Sequence, residues 1–306
     1  MKKNLLVTGG TGFLGYHVAK QGLIRGFNVF SISKNKPNEK RFIPGLNYIN
    51  IDLLDTEGLF NCINNLKIEY VVNCVGYVDH KLFKDGGEDV FDNHFTVTKN
   101  LINSLDKKFL KCFLQIGSSD EYGDNPSPQI EKMRESPISP YSLAKVASCH
   151  LLQMLHKTED LPVAILRLFL VYGSNLNKER FLSSIISNSI RNKNFAVSPG
   201  EQIRDFCYVD DVVNAIFLSL ENKNIYGEII NIASGNPKTI KEIVNLVNRI
   251  LKKGKPVFGG LNYRENESMN LYASIEKARH LLKWEPKITI EEGILKTINW
   301  YKKNDQ

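Results

Sequence analysis

The chain has 306 residues, of which 42% are hydrophobic and 24% charged, a globular balance that argues against a disordered or collagen-like polymer. Its net charge of +7 comes from scattered lysines rather than a basic arm, which argues against nucleic acid and leaves a solvated surface or a phosphorylated ligand. Five cysteines without a CxxC argue against a disulfide framework or zinc site, and no apolar run reaches the roughly 18 residues of a membrane span, so a soluble cytoplasmic protein without metal is expected.

Short apolar runs alternate with helix-like spacings along the first two thirds of the chain. Strands are expected at Leu5–Thr8, Asn28–Ile32, Tyr48–Ile51, Tyr70–Val75, Lys111–Gly117 and Val163–Leu168. Between them, Phe13–Arg25, Glu57–Leu66, Val90–Asp106 and Tyr141–Leu155 carry apolar residues at helical spacing. Such alternation predicts right-handed crossovers and a Rossmann-type α/β fold, a doubly wound parallel sheet buried on both faces. After Tyr172 the sequence turns polar. A helix is expected near Phe181–Arg191, a return to the sheet edge over Gln202–Leu220, and another strand at Glu228–Ala233. The expected division is a dinucleotide-binding domain over 1–173, rejoined by 204–235, and a smaller mixed substrate lobe over 174–203 and 236–306.

Two segments carry chemistry. The first strand runs into Gly9, Gly10, Gly12 and Gly15 and restarts as a helix. That turn suits a pyrophosphate, because glycine lets the backbone approach and the helix start offers free N–H groups. Its candidate cofactor contacts are Gly9, Gly12, Phe13, Leu14 and Gly15. The second segment is Tyr141-Ser-Leu-Ala-Lys145. On a helix these two side chains share a face one turn apart, and an ammonium there favours the phenolate, so a lowered tyrosine pKa is expected. Such a phenol trades a proton with a substrate oxygen near neutral pH. The alternative is a solvent-facing helix pair.

TGGTGFLG, GSSDEYG, YSLAK and RDFCYVDDV, in that order, resemble the extended short-chain dehydrogenase/reductase (NAD-dependent epimerase/dehydratase) family over nearly the whole chain. The likeness is to its nucleotide-sugar 4-ketoreductases. It implies NADPH-dependent reduction of the C4 ketone of a nucleotide-diphosphate 4-keto-6-deoxyhexose. The alternatives are a 4-epimerase with tightly bound NAD, a 4,6-dehydratase, and a non-catalytic cofactor-sensing regulator. By resemblance, Tyr141 is the proton donor or acceptor, Lys145 its partner and ribose anchor, and a serine of GSS the donor to the substrate oxygen. Counting back from Tyr122 selects Ser118 and counting forward selects Ser119; Ser118 is preferred. Asp120 and Glu121 are either a dehydratase acid–base pair or, with Ser119, contacts to substrate hydroxyls. Arg204 and Arg264 are the implied partners of the substrate diphosphate, since a guanidinium fork matches phosphate oxygens, unless they pair with neighbours such as Asp205 or Glu267. Leu170 stands where the family often has Asn, and Asn93 matches a family position with a structural role. The family also implies a homodimer through the helices near Val90–Asp106 and Tyr141–Leu155.

The residue ending the second strand selects between nicotinamide cofactors, because an acid there binds the ribose 2′-OH and repels a 2′-phosphate. Ser33, followed by Lys34 and Lys36, predicts a preference for NADP(H), with NAD(H) second. Asp52 and Leu53 are expected at the adenine, and Gly76 and Tyr77 beside a cofactor ribose.

Overall fold

The computed structural model describes residues 2–263 and 267–304. The chain opens with β1 (Asn4–Thr8), α1 (Phe13–Ile24), β2 (Asn28–Ser33), β3 (Asn47–Asn50), α2 (Thr56–Ile63) and β4 (Tyr70–Asn73). It continues through α3 (Gly87–Asp92), α4 (Phe95–Ser104), β5 (Cys112–Ser118), α5 (Pro140–Glu159), β6 (Val163–Leu168) and β7 (Leu170–Tyr172). Then come α6 (Phe181–Ile190), β8 (Asn194–Val197), β9 (Ile203–Arg204), β10 (Phe206–Tyr208), α7 (Val209–Leu220) and β11 (Ile229–Ile232). The last part holds β12 (Lys238–Thr239), α8 (Ile240–Leu251), β13 (Lys255–Phe258), β14 (Asn270–Leu271), α9 (Glu276–Leu282) and α10 (Ile290–Asn304).

Seven parallel strands form one sheet in the order β11-β6-β5-β4-β1-β2-β3, a Rossmann-type arrangement. The order reverses between β1 and β4, so a crevice opens at their carboxyl ends, where open α/β sheets bind ligands. The strands are apolar on both sides because both sides are covered. Leu5 and Val7 of β1 join the core that holds Val18, Ala19, Val212 and Ile216 of α1 and α7. Leu6 points the other way, into the core holding Leu59, Leu101 and Leu152 of α2, α4 and α5. This period-two division is what a doubly covered strand requires.

Two expectations are corrected. Val90–Asp106 is not one helix. The Asn93 side chain donates to Asp89 O at 2.7 Å, and the backbone bends at His94 before α4 begins. The return to the sheet edge is not made by Gln202–Leu220. β9 lies between β12 and β14 in a small three-stranded sheet, and β10 pairs with β7. The edge beside β6 is taken by β11, whose four residues are all buried. Arg204 and Asp205 need polar partners that an apolar sheet edge does not offer.

No helix among the described residues is long and apolar enough to cross a membrane. Nor do the described residues contain a His, Cys, Asp and Glu cluster able to hold a metal ion.

Candidate active site

The glycine turn joins β1 to α1. Gly9 has φ +63°, which a side chain would strain, and a Cβ on Gly15 would lie 2.3 Å from Gly9 O. A Cβ on Gly12 would meet only Gly9 O, at 3.0 Å, so this glycine keeps outside space clear. Gly12 caps α1 without a side-chain hydrogen bond, leaving the first N–H groups to another acceptor. Cleared space over uncapped N–H groups fits the pyrophosphate of a dinucleotide. Phe13 and Leu14 turn partly inward against the core and leave their backbone at the turn.

β5 and α5 bring the predicted catalytic residues together. Ser139 caps α5 reciprocally with Ser142, and Pro140 occupies the first turn, which fixes where the helix starts. Tyr141 and Lys145 then follow one turn apart, 6% and 5% exposed. Lys145 Nζ donates to Ile116 O at 2.9 Å and lies 5.9 Å from the Tyr141 ring centre. Ser118, at the end of β5, is a hydrogen-bond partner of the phenol. Its Oγ also accepts from Asp120 N at 3.2 Å, leaving its own proton for an oxygen above it. The expected lowering of the phenol pKa is corrected. Burial pushes Tyr141 well above its ordinary value, and the Asp120 and Glu121 charges add to the rise against Ser118 and Arg180. Burial likewise pulls Lys145 down, opposed first by Glu121. The site as built holds the phenol in its acid form.

Of the residues expected on substrate, Glu121 is withdrawn. It is fully buried; Oε2 accepts from Arg167 Nε at 2.7 Å and Oε1 from the Ser118 N–H at 2.7 Å. It closes a capping box with Ser118, for which the spacing Ser118-x-x-Glu121 is the right one. A dehydratase acid–base pair of Asp120 and Glu121 is therefore not assembled. Asp120 is half-buried, 2.9 Å from His80 Nε2, and Ser119 is buried. Arg204 is buried and forms an ion pair with Glu267. Arg264 lies outside the described residues.

Around the expected ribose site, Gly76 has φ +113°, and a Cβ there would lie 1.9 Å from His94 Cε1. His94 is 2% exposed, its Nε2 bonds Tyr77 O at 3.0 Å, its Nδ1 has no partner, and its ring stands edge-on to Tyr141 with centres 5.0 Å apart. Burial lowers its pKa to about 3, with the Lys145 charge adding to the effect, so it is a neutral imidazole. The bend before α4 puts His94 there; Asn93 faces outward to Asp89 O. At the adenine end, Ser33 is buried and accepts from Thr11 N at 3.4 Å, while Lys36 is exposed. Lys34 and Asp52 form an ion pair at 2.7 Å, so the lysine expected to attract a 2′-phosphate is already matched by a carboxylate. Leu53 buries its side chain in the core, leaving only backbone for adenine. Leu170 begins β7 and packs apolar against the larger core.

Two residues escaped the sequence reading. Arg41 is buried and ties Thr11 O of the glycine turn, at 3.1 Å, to Asn175 O and Asn177 Oδ1. In sequence it stands among Lys34, Lys36 and Lys40 with nothing to set it apart. Arg180 is exposed just before α6, and its charge reaches Tyr141 across the cleft.

A sequence model described as the NAD dependent epimerase/dehydratase family matches residues 5–233. UDP-glucuronate 4-epimerase of Thermodesulfobacterium geofontis is 28% identical, over 98% of this chain and 96% of its own. The UDP-glucose 4-epimerase of Thermotoga maritima, solved with UDP-glucose, superposes with a TM-score of 0.92 at 25% identity, covering 99% of this chain and 100% of that one. The UDP-glucuronic acid 4-epimerase of Bacillus cereus, solved with UDP-glucuronic acid and NAD, gives 0.87 at 27% identity, over 98% and 99%.

Proposed function

Because this chain belongs to the NAD-dependent epimerase/dehydratase family, we propose that it moves a hydride to and from C4 of a nucleotide-diphosphate hexose, with 4-epimerisation on a retained NAD as the net reaction. One observation carries the reading: Tyr141, Ser118 and Lys145 converge at the carboxyl end of the sheet, in a chain that aligns end to end with a 4-epimerase. The glycine turn would hold the pyrophosphate, and Lys145 a ribose hydroxyl. Bound in its oxidised form, the cofactor supplies a hydride acceptor and a positive charge, which favours the phenolate. Tyr141 would take the C4 hydroxyl proton as C4 is oxidised to the ketone, and would return it as the ketone is reduced on its other face. Ser118 donates to the C4 oxygen throughout, and Lys145 steadies the phenolate. Arg204 takes the substrate diphosphate, with Glu267 as its partner otherwise. The active form is a homodimer.

Reduction of a 4-keto-6-deoxy sugar by NADPH is the second reading. It is favoured by Ser33 standing where an acid would select NAD, and by a phenol held as an acid. Purified protein incubated with UDP-glucose or UDP-glucuronate, without added cofactor and followed by NMR, separates the two. Interconversion of the C4 epimers supports the first reading. NADPH consumption only with a 4-keto sugar supports the second, and turnover in neither assay defeats both.

A further inference from the structure

Ile116, Gly117 and Ser118 form a rail on which two catalytic groups hang. Lys145 is fixed by its bond to Ile116 O, and Ser118 by the bond from its N–H to Glu121 Oε1. Gly117 lies between them, and a Cβ there would sit 2.6 Å from Glu121 Oε1. Glu121 is held in turn by Arg167, which is fully buried and also bonds Glu135. The carboxylate thus runs beneath the reacting groups without reaching the cleft. We propose that Glu121, braced by Arg167, is a positioning residue: it aims Ser118 at the phenol and serves as the buried counter-ion of Lys145.

The electrostatics fit this arrangement. The groups facing Lys145 are Tyr141 and Cys149 on its own helix, Glu121 in the turn after β5, Cys74 after β4 and His94 before α4. His94 is neutral, and burial pushes Cys74 up to about 12 and Cys149 well above its usual range, so both stay thiols. Glu121 is the charged partner in this set, and its field opposes the desolvation that would strip the Lys145 proton. Arg167 Nε meets Glu121 Oε2 at 2.7 Å in a buried ion pair, and Glu135 takes the arginine's second charge-assisted bond.

The inference rests on the functional reading for its kinetic arm only. Lys145 is titrated by the 13Cε shift of labelled lysine, assigned by the signal lost in Lys145→Met. Wild-type protein is expected to keep Lys145 charged at pH 7, and a midpoint below 7 overturns the proposal without any variant. Glu121→Gln still accepts from the Ser118 N–H but has no charge. Its Lys145 midpoint should fall by about one unit or more, with kcat down about tenfold or more and KM within about threefold. Glu135→Gln removes the other partner of Arg167, and should cost stability while leaving the midpoint where it was. If Glu121→Gln does not fold, Glu121→Gln/Arg167→Met removes both buried charges and is read the same way. An unmoved midpoint, or an equal shift in Glu135→Gln, overturns the proposal. Failure of wild type to turn over any nucleotide sugar would instead defeat the functional reading and leave the titration result standing.

Discussion

Acidification should destabilise this protein through His94, and the size of the effect follows from its burial. The imidazole is 2% exposed, bonded through Nε2 to Tyr77 O, and sits against the Lys145 charge. Its pKa falls from the ordinary 6.5 to about 3 in the folded state. Between those values the unfolded chain holds a proton that the folded chain refuses, so stability is full above pH 6.5 and drains as pH falls. At pH 5 the linked loss is about 2 kcal/mol relative to pH 7, and it depends little on how far below 5 the folded value lies. Urea unfolding at both pH values, in wild type and His94→Gln, isolates the term. Glutamine can donate to Tyr77 O but does not titrate, so every other group's contribution cancels in the comparison. The wild type should lose about 2 kcal/mol more than the variant over this interval. Equal losses, within about 0.5 kcal/mol, would show that His94 is not a buried neutral imidazole.

Other perturbations read the site from other sides. Gly117→Ala places a methyl 2.6 Å from Glu121 Oε1 and 3.2 Å from Arg167 Cγ. It should cost about 1–3 kcal/mol in urea unfolding and lower kcat, because the rail under Ser118 must shift. Arg167→Met takes from Glu121 its directly bonded partner in the interior, and should destabilise by about 3–5 kcal/mol. Asp52→Asn releases Lys34 from its carboxylate, and should raise the NADP-to-NAD affinity ratio by about three- to tenfold in fluorescence titration. An unchanged ratio would mean that neither residue faces the cofactor's ribose.

The alternation of short apolar runs with helical spacings made the parallel sheet legible: all six expected strands up to Val163–Leu168 are present, that last one with the expected bounds and the other five with shifted ends. The phosphate turn was legible for the same local reason, since glycine spacing, the strand before and the helix after are adjacent in sequence. What stayed hidden depends on distant groups or on competing local bonds. The apolar pattern runs unbroken through residues 90–106, so it could not reveal that Asn93 would bond Asp89 O and turn His94 into the site. Lys34 reads as a free cation until the chain after β3 brings Asp52 to it. Lys145 reads as an activator of Tyr141 until burial is known, and burial raises the phenol instead. Glu121 reads as a catalytic acid or substrate contact, although its spacing from Ser118 is that of a capping box.

Turnover of a nucleotide hexose deuterated at C4, without added cofactor, compared between wild type and Tyr141→Phe, tests the hydride account most directly. The account predicts epimerised product that keeps deuterium at C4, and a variant that binds the sugar but turns over at least about a hundredfold more slowly. Deuterium lost to solvent, or near-wild-type turnover by Tyr141→Phe, would contradict it.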